Sequence, residues 1–252
     1  RVEILKRNLE TALSHVASAA KERPSDGPLR VLQLEIILQQ EQEEAIAAFV
    51  KEIEDNAKDN DALLHYCRGR ALLQNLELVA ATEHLERAHA GWKKSGQPRL
   101  ASLSLAWLGL AFYYNDKNKE AIESYQNALV LDPNNVIAHR FLGQNYLFQG
   151  NYEAAKESFH KALAANRLDA TTYFHIGELA VAQKDTRLAA EAFKSYLYMA
   201  HNGDFALDAK DALAQLSAPP AVNSQRPVKK PAQGKNSNTR SKNTSSSQKA
   251  CP

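Results

Sequence analysis

The chain has 252 residues, 44% of them hydrophobic, and a net charge of +2, the composition of a globular protein with room for one large or two ordinary domains. No apolar run reaches the roughly 18 residues that a membrane-spanning helix needs, and the N-terminus RVEILKRNLETALSHV is amphipathic rather than a basic patch followed by an apolar core, so neither a membrane span nor a signal peptide is expected. Seven of the 31 basic residues and none of the 29 acidic ones fall in 218–252, leaving 24 against 29 in an acidic body followed by a basic tail. The chain opens on Arg1 rather than Met, which is compatible with an upstream leader or domain and leaves the compartment open, a soluble cytoplasmic one being favoured.

Residues 1–24 read as one amphipathic helix ended by ERPSDGP. Residues 28–61 form a first helix pair with EEAIAAFVKEI as its second member. From residue 62 a repeat sets in, with spans 62–101, 102–135, 136–169 and 170–203. Each span carries a glycine inside a helical pattern, at Gly69, Gly109, Gly143 and Gly177. A small residue follows twelve positions later (Ala81, Ala121, Ala155, Ala189) and a bulky one four further on (Leu85, Tyr125, Phe159, Phe193). After three more come Ala88, Ala128 and Ala162, a series that Tyr196 breaks.

A glycine inside a helix costs roughly 1 kcal/mol relative to alanine, so its recurrence needs a packing reason. The spacing predicts antiparallel helix pairs in which Gly143 from one side and Ala155 from the other admit a close crossing, with Leu142, Tyr146 and Phe159 filling the space around it. Gln33 stands where the glycine would be in 28–61, and 62–101 carries about six extra residues around AGWKKSGQP. Beyond the repeats, 204–217 reads as a capping helix with Asp204 at its N-cap. Residues 218–252 have too few large apolar side chains to offset chain entropy and are expected to be disordered.

This pattern resembles the tetratricopeptide repeat. The family's small, large and proline positions are met by Leu108, Gly109, Phe112, Ala121, Tyr125, Ala128 and Pro133 in 102–135, and by Leu142, Gly143, Tyr146, Ala155, Phe159 and Ala162 in 136–169. Departures fall at Ala180 and Tyr196 in 170–203, and at Arg68 beside Gly69. The resemblance implies an all-α fold, a right-handed α-solenoid of about five antiparallel helix pairs, with the first helix of each pair lining a concave wall.

Catalytic signatures are absent: there is no phosphate-cradling loop, no HExxH, no nucleophile elbow and no zinc-spaced cysteine pair. His84 and His89 are five apart, too far around a helix to share a metal, so neither a metal nor a cofactor is expected. Carrying the family's inward positions onto this chain puts Tyr66, Arg70, Leu110, Tyr113, Arg140, Gln144, Leu147, Phe174 and Glu178 on the concave wall. That wall is apolar and aromatic, and the family's carboxylate-gripping triple of basic and amide residues has no counterpart on it. The expectation is therefore a non-catalytic scaffold or adaptor that binds an apolar peptide or helix of a partner protein, with Arg70, Arg140 and Glu178 setting its orientation. Two alternatives stand beside it: the interaction part of a larger enzyme such as a peptidase or glycosyltransferase, and nucleic-acid or anionic-surface binding through the tail. The tail's cations fit a phosphate backbone, but no aromatic interleaves them to stack on bases, and a solubilising linker accounts for them equally. Oligomeric state has no signature in the sequence.

Overall fold

The computed structural model describes residues 2–23, 26–40, 42–56, 61–201 and 203–217, without the side chains of 2–8. The expected disordered tail, 218–252, lies outside the described residues. Among the described residues the chain forms twelve helices and no strand. After α1 (Val2–Glu22) come five antiparallel pairs: α2 (Gly27–Leu38) with α3 (Glu43–Asn56), α4 (Ala62–Gln74) with α5 (Leu78–Lys94), α6 (Pro98–Tyr114) with α7 (Asn118–Leu131), α8 (Val136–Phe148) with α9 (Tyr152–Ala165), and α10 (Ala170–Ala182) with α11 (Thr186–Met199). The last helix is α12 (Ala206–Ser217).

Local chemistry sets the helix starts. Asp26, Asp61, Asn135 and Asp169 accept from backbone N–H groups in the first turns of α2, α4, α8 and α10, while α6 opens on Pro98. The first helices then end alike. Leu76, Asp116, Gly150 and Lys184 follow α4, α6, α8 and α10 with φ of 60°, 59°, 75° and 63°. The next N–H in each case, from Glu77, Lys117, Asn151 and Asp185, bonds at 2.9 Å to the carbonyl of Leu72, Phe112, Tyr146 and Ala180. This is one helix-stop motif closing four first helices, with glycine at the left-handed position only once among them; α5 ends the same way, on Gly96 at φ 69° with the Gln97 N–H bonded to the Trp92 carbonyl at 2.9 Å.

The repeated glycine is where the two helices of a pair meet. A Cβ on Gly143 would stand 2.6 Å from the Phe159 ring, one on Gly177 2.5 Å from Phe193, and one on Gly69 2.8 Å from Leu85, with Tyr125 pressed against Gly109 in the same way. The knob opposite each glycine is thus the bulky residue sixteen positions on. Ala155 and its counterparts are fully buried, and the atoms nearest the glycine come from the bulky residue expected to fill the crossing. The ring occupies the space that a side chain on the first helix would take.

The irregularities have local reasons. The extra residues around AGWKKSGQP lengthen α5 and α6 to 17 residues each, against 13 or 14 in the later pairs. Arg68, an unusual neighbour for Gly69, points to Glu54 and pairs with it at 2.5 Å. Tyr196 replaces the repeat's alanine where no further pair follows: it is 1% exposed, and its hydroxyl accepts from the Phe205 N–H at 3.0 Å, tying α11 to the cap. Asp204 lies in the turn ahead of α12, which starts at Ala206, so the aromatic Phe205 anchors the cap where Asp204 was expected to.

Two outcomes follow for stability. Gly143→Ala lowers the free energy of unfolding in urea by about 1–3 kcal/mol, because the ring of Phe159 must leave its seat, and adding Phe159→Leu recovers part of the loss. Lys184→Gly raises it by about 0.5–1 kcal/mol, relief of the left-handed strain exceeding the added entropy of the unfolded chain.

Candidate functional site

The first helices α4, α6, α8 and α10 stand side by side, each touching the next, and α2 extends the row. The nine expected wall residues all lie on these four helices, and the structure gives each a specific neighbourhood.

At the α4 end the wall is closed by the chain itself. Tyr66 is fully buried and its hydroxyl donates to Glu35 Oε1 at 2.7 Å. Arg70 donates through Nε and Nη2 to the two oxygens of Glu35 at 3.0 and 2.9 Å. Burial pushes the Glu35 carboxyl up, but the charge and hydrogen bonds of Arg70, with the Tyr66 hydroxyl, outweigh it and hold the group below its ordinary 4.5. The Arg70 guanidinium also lies 3.5 Å from the centre of the Trp107 ring, a desolvated cation–π contact.

From Trp107 the contacts run on. Its ring meets Phe141 edge-on at 5.6 Å, and Arg140 lies 5.2 Å from the centre of Phe141. Arg140 Nη1 bonds to both oxygens of Asp169 at 2.8 and 2.9 Å. Asp169 in turn caps α10 through the Thr172 N–H. A continuous row of ion pairs and stacked rings therefore links α2, α4, α6, α8 and the start of α10. Both arginines expected to orient a ligand already hold carboxylates of the chain.

At the far end Phe174 is 5% exposed and stacks on Phe205 at 4.5 Å, with Phe193 and Tyr196 around it. Glu178 accepts from His175 Nδ1 at 2.7 Å and keeps 28% of its side chain exposed. Tyr66 and Phe174, expected to face a ligand, are thus taken up by internal packing.

The middle of the wall differs. Leu110, Tyr113, Gln144 and Leu147 are 7–8% exposed, and beside them Trp107, Tyr114 and Phe148 are half-buried. Tyr113 lies 5.9 Å from both Tyr114 and Phe148, and its buried hydroxyl has no hydrogen-bond partner among the described residues. Burial first, then Tyr114 and the Glu178 carboxylate, push its phenol well up. The Gln144 amide has no protein hydrogen-bond partner among the described residues. This central patch is apolar with unpaired amide and hydroxyl groups, able to bind by shape and neutral hydrogen bonds.

The histidines have ordinary roles. His84 does not pair with His89: its Nδ1 lies 2.8 Å from His65 Nδ1, while His89 Nδ1 meets the Ala101 carbonyl at 3.1 Å. His139 Nε2 meets the Pro133 carbonyl at 2.9 Å, fixing the turn before α8. No group of three or more potential metal ligands is present among the described residues, and none of their helices is long and apolar enough to cross a membrane.

Sequence spacing missed Glu35, Asp169 and Phe205. Glu35 lies on α2, the first helix without the glycine marker, and the other two lie in turns between helices, so none falls at a repeat position. Glu35→Gln leaves Arg70 buried beside a neutral amide and costs about 2 kcal/mol of stability, less than the roughly 3–5 kcal/mol of a fully buried pair because Glu35 keeps 26% side-chain exposure. Since the folded pKa is depressed, this stabilisation is complete above pH 4.5 and is lost as pH falls through the lower folded value. Urea midpoints measured from neutral pH into that range fall less steeply for Glu35→Gln than for the wild type.

Two family models match the chain, one described as TPR repeat over residues 109–147 and one as tetratricopeptide repeat over 142–218. No curated protein matches it. Among solved structures, a chain of the APC/C hetero-tetramer Cut9–Hcn1 aligns at TM-score 0.62 and 19% identity, covering 85% of this chain and 41% of that one. This chain thus spans about two fifths of the length of that one, and the likeness shows the fold. The first TPR of Spaghetti (RPAP3), bound to an HSP90 peptide, aligns at TM-score 0.43 and 22% identity over 46% of this chain and 92% of that one. A MamA double mutant aligns at 0.47 and 19% over 71% and 97%. The two repeat models together run from Gly109 to residue 218, and the same crossing of glycine and bulky side chain recurs upstream at Gly69 and Leu85; the chain carries tetratricopeptide repeats over residues 109–218.

Proposed function

We propose that this chain is a non-catalytic protein-interaction scaffold that holds an apolar segment of a partner protein against the middle of its concave wall, over α6, α8 and α10. The observation that carries the reading is Gln144. It is 7% exposed, its amide has no protein partner among the described residues, and half-buried Trp107, Tyr114 and Phe148 lie on the same wall. The amide atoms are left to solvent, whereas the Tyr113 hydroxyl on the same wall is buried and unpaired among the described residues, a cost of about 1–3 kcal/mol, and a partner backbone laid along the wall would pair both while covering the rings. The internal ion pairs refine the ligand. With Arg70 held by Glu35 and Arg140 by Asp169, the wall selects an uncharged, hydrogen-bonding and apolar segment rather than a free carboxylate. Leu110, Tyr113 and Leu147 form its floor, and Glu178, half-buried and bonded to His175, is the charge at its α10 edge.

Gln144→Leu removes the amide and keeps the volume. Substituting Arg140 instead would leave Asp169 unpaired and disturb the start of α10. Partners captured by affinity purification with quantitative mass spectrometry should weaken about tenfold or more in Gln144→Leu, with helix content by circular dichroism unchanged. An identical partner profile from the two proteins would show that this wall is not the binding face.

A further inference from the structure

A second surface lies on the other side of α6, away from the concave wall. The second helices α5 and α7 leave a cleft of about 390 Å³ between them, floored by α6. Its floor is Leu105, Leu108 and Phe112, residues three and four apart on one helix face. Its walls carry Glu86 from α5 and Glu120 and Glu123 from α7. All three carboxylates are exposed, and none has an ion-pair partner among the described residues.

The remaining polar groups of the cleft are also short of partners. Ser124 lines it and is 7% exposed, yet its hydroxyl makes no hydrogen bond among the described residues. Its counterpart one repeat on, Ser158, donates to the Ala154 carbonyl at 2.8 Å, as serines inside helices commonly do. His89 turns its Nδ1 to the Ala101 carbonyl at 3.1 Å, so in the neutral ring that nitrogen carries the proton and Nε2 is left as an acceptor. Lys117 lies over the floor, its Nζ 5.8 Å from the Phe112 ring centre, and forms no ion pair with the three glutamates among the described residues.

The arrangement is particular to this place in the array. One repeat on, Glu120 and Glu123 are replaced by Ala154 and by Glu157, which is paired with Lys161 at 2.6 Å. One repeat back, the position of Glu123 is held by Glu83, paired with Arg87 at 2.6 Å. The floor changes as well: His139 and Tyr146 stand on α8 where Leu105 and Phe112 stand on α6. Repetition of the fold therefore does not account for a cleft with unpaired acids above an apolar floor.

We infer that this cleft docks a basic amphipathic segment of a partner protein, a Lys or Arg head set among Glu86, Glu120, Glu123 and the Ser124 hydroxyl, and its apolar neighbours on Leu105, Leu108 and Phe112. A long basic side chain meets both demands at once, its methylene stem covering the floor and its charge reaching the rim. A nucleic acid is repelled by the same three carboxylates. The surface is separate from the concave wall, so the inference stands or falls independently of the reading above.

The test uses the full chain and a fluorescein-labelled amphipathic Lys/Leu peptide, with a twin in which every Lys is Glu. Fluorescence anisotropy should report binding of the basic peptide and none of the acidic one. Glu120→Gln with Glu123→Gln should weaken the basic peptide about tenfold or more. A charge-matched control, Glu153→Gln with Glu157→Gln on α9, should change it less than about twofold, as should Gln144→Leu. Equal weakening by the α7 and α9 pairs would mean diffuse attraction to an acidic body and would overturn the proposal. Binding of the acidic twin, or loss of the basic peptide with Gln144→Leu, would overturn it too. Because all four glutamates are exposed, the substituted proteins remain folded, and matching circular dichroism spectra verify this.

Discussion

The array depends on one contact, a bulky side chain on the second helix of each of the last four pairs seated against a glycine of the first. In α8 and α9 it is Phe159 on Gly143, and in α10 and α11 it is Phe193 on Gly177. The glycine is unfavourable for the helix that contains it, but it lets a whole ring occupy the interface, and burying an aromatic side chain outweighs a propensity loss of about 1 kcal/mol. Phe159 is fully buried and Phe193 is 2% exposed, so each pair arrives with its own filled core. Stacking those cores then aligns the first helices along a single wall.

The alignment has electrostatic consequences. Side-chain bonds cross from one pair to the next over long sequence distances: Tyr66 to Glu35, Arg70 to Glu35, Asn135 to Ser102 and Arg140 to Asp169, separated by 31, 35, 33 and 29 residues. Because these separations are close to one repeat, the same solenoid curvature that forms the wall brings the partners together. Ion pairs in such partly desolvated settings contribute little net stability against apolar substitutes, but they fix register once formed. They also remove two positive charges from the wall and leave its centre neutral. The outer cleft has the opposite character, retaining three carboxylates with no basic partner. One scaffold thus offers a neutral apolar inner face and an acidic outer notch, two surfaces that select different partner chemistries.

Departures from the repeat occur where the neighbour changes. Tyr196 stands in for an alanine at the last pair because the next element is the cap, and its hydroxyl satisfies the Phe205 N–H that a following repeat would have covered. Ser124 and Ser158 occupy equivalent positions and differ in hydrogen bonding, one open to a cleft and one closed on its own helix.

The sequence by itself determined the helix pairs, their order and the glycine at each crossing, because these are short-range patterns with fixed periods of 34 or 40 residues and one dominant physical cause. It also placed nine residues on the right helices. Which of them face outward was decided only by the tertiary structure. Tyr66 and Phe174 are taken up by Glu35 and Phe205, and Arg70 and Arg140 by Glu35 and Asp169, partners that lie on an unmarked helix or in turns between helices. Periodicity specifies which face a side chain leaves from. What that side chain then meets depends on the curvature accumulated from one pair to the next, and curvature is a property of the packed array rather than of any single repeat.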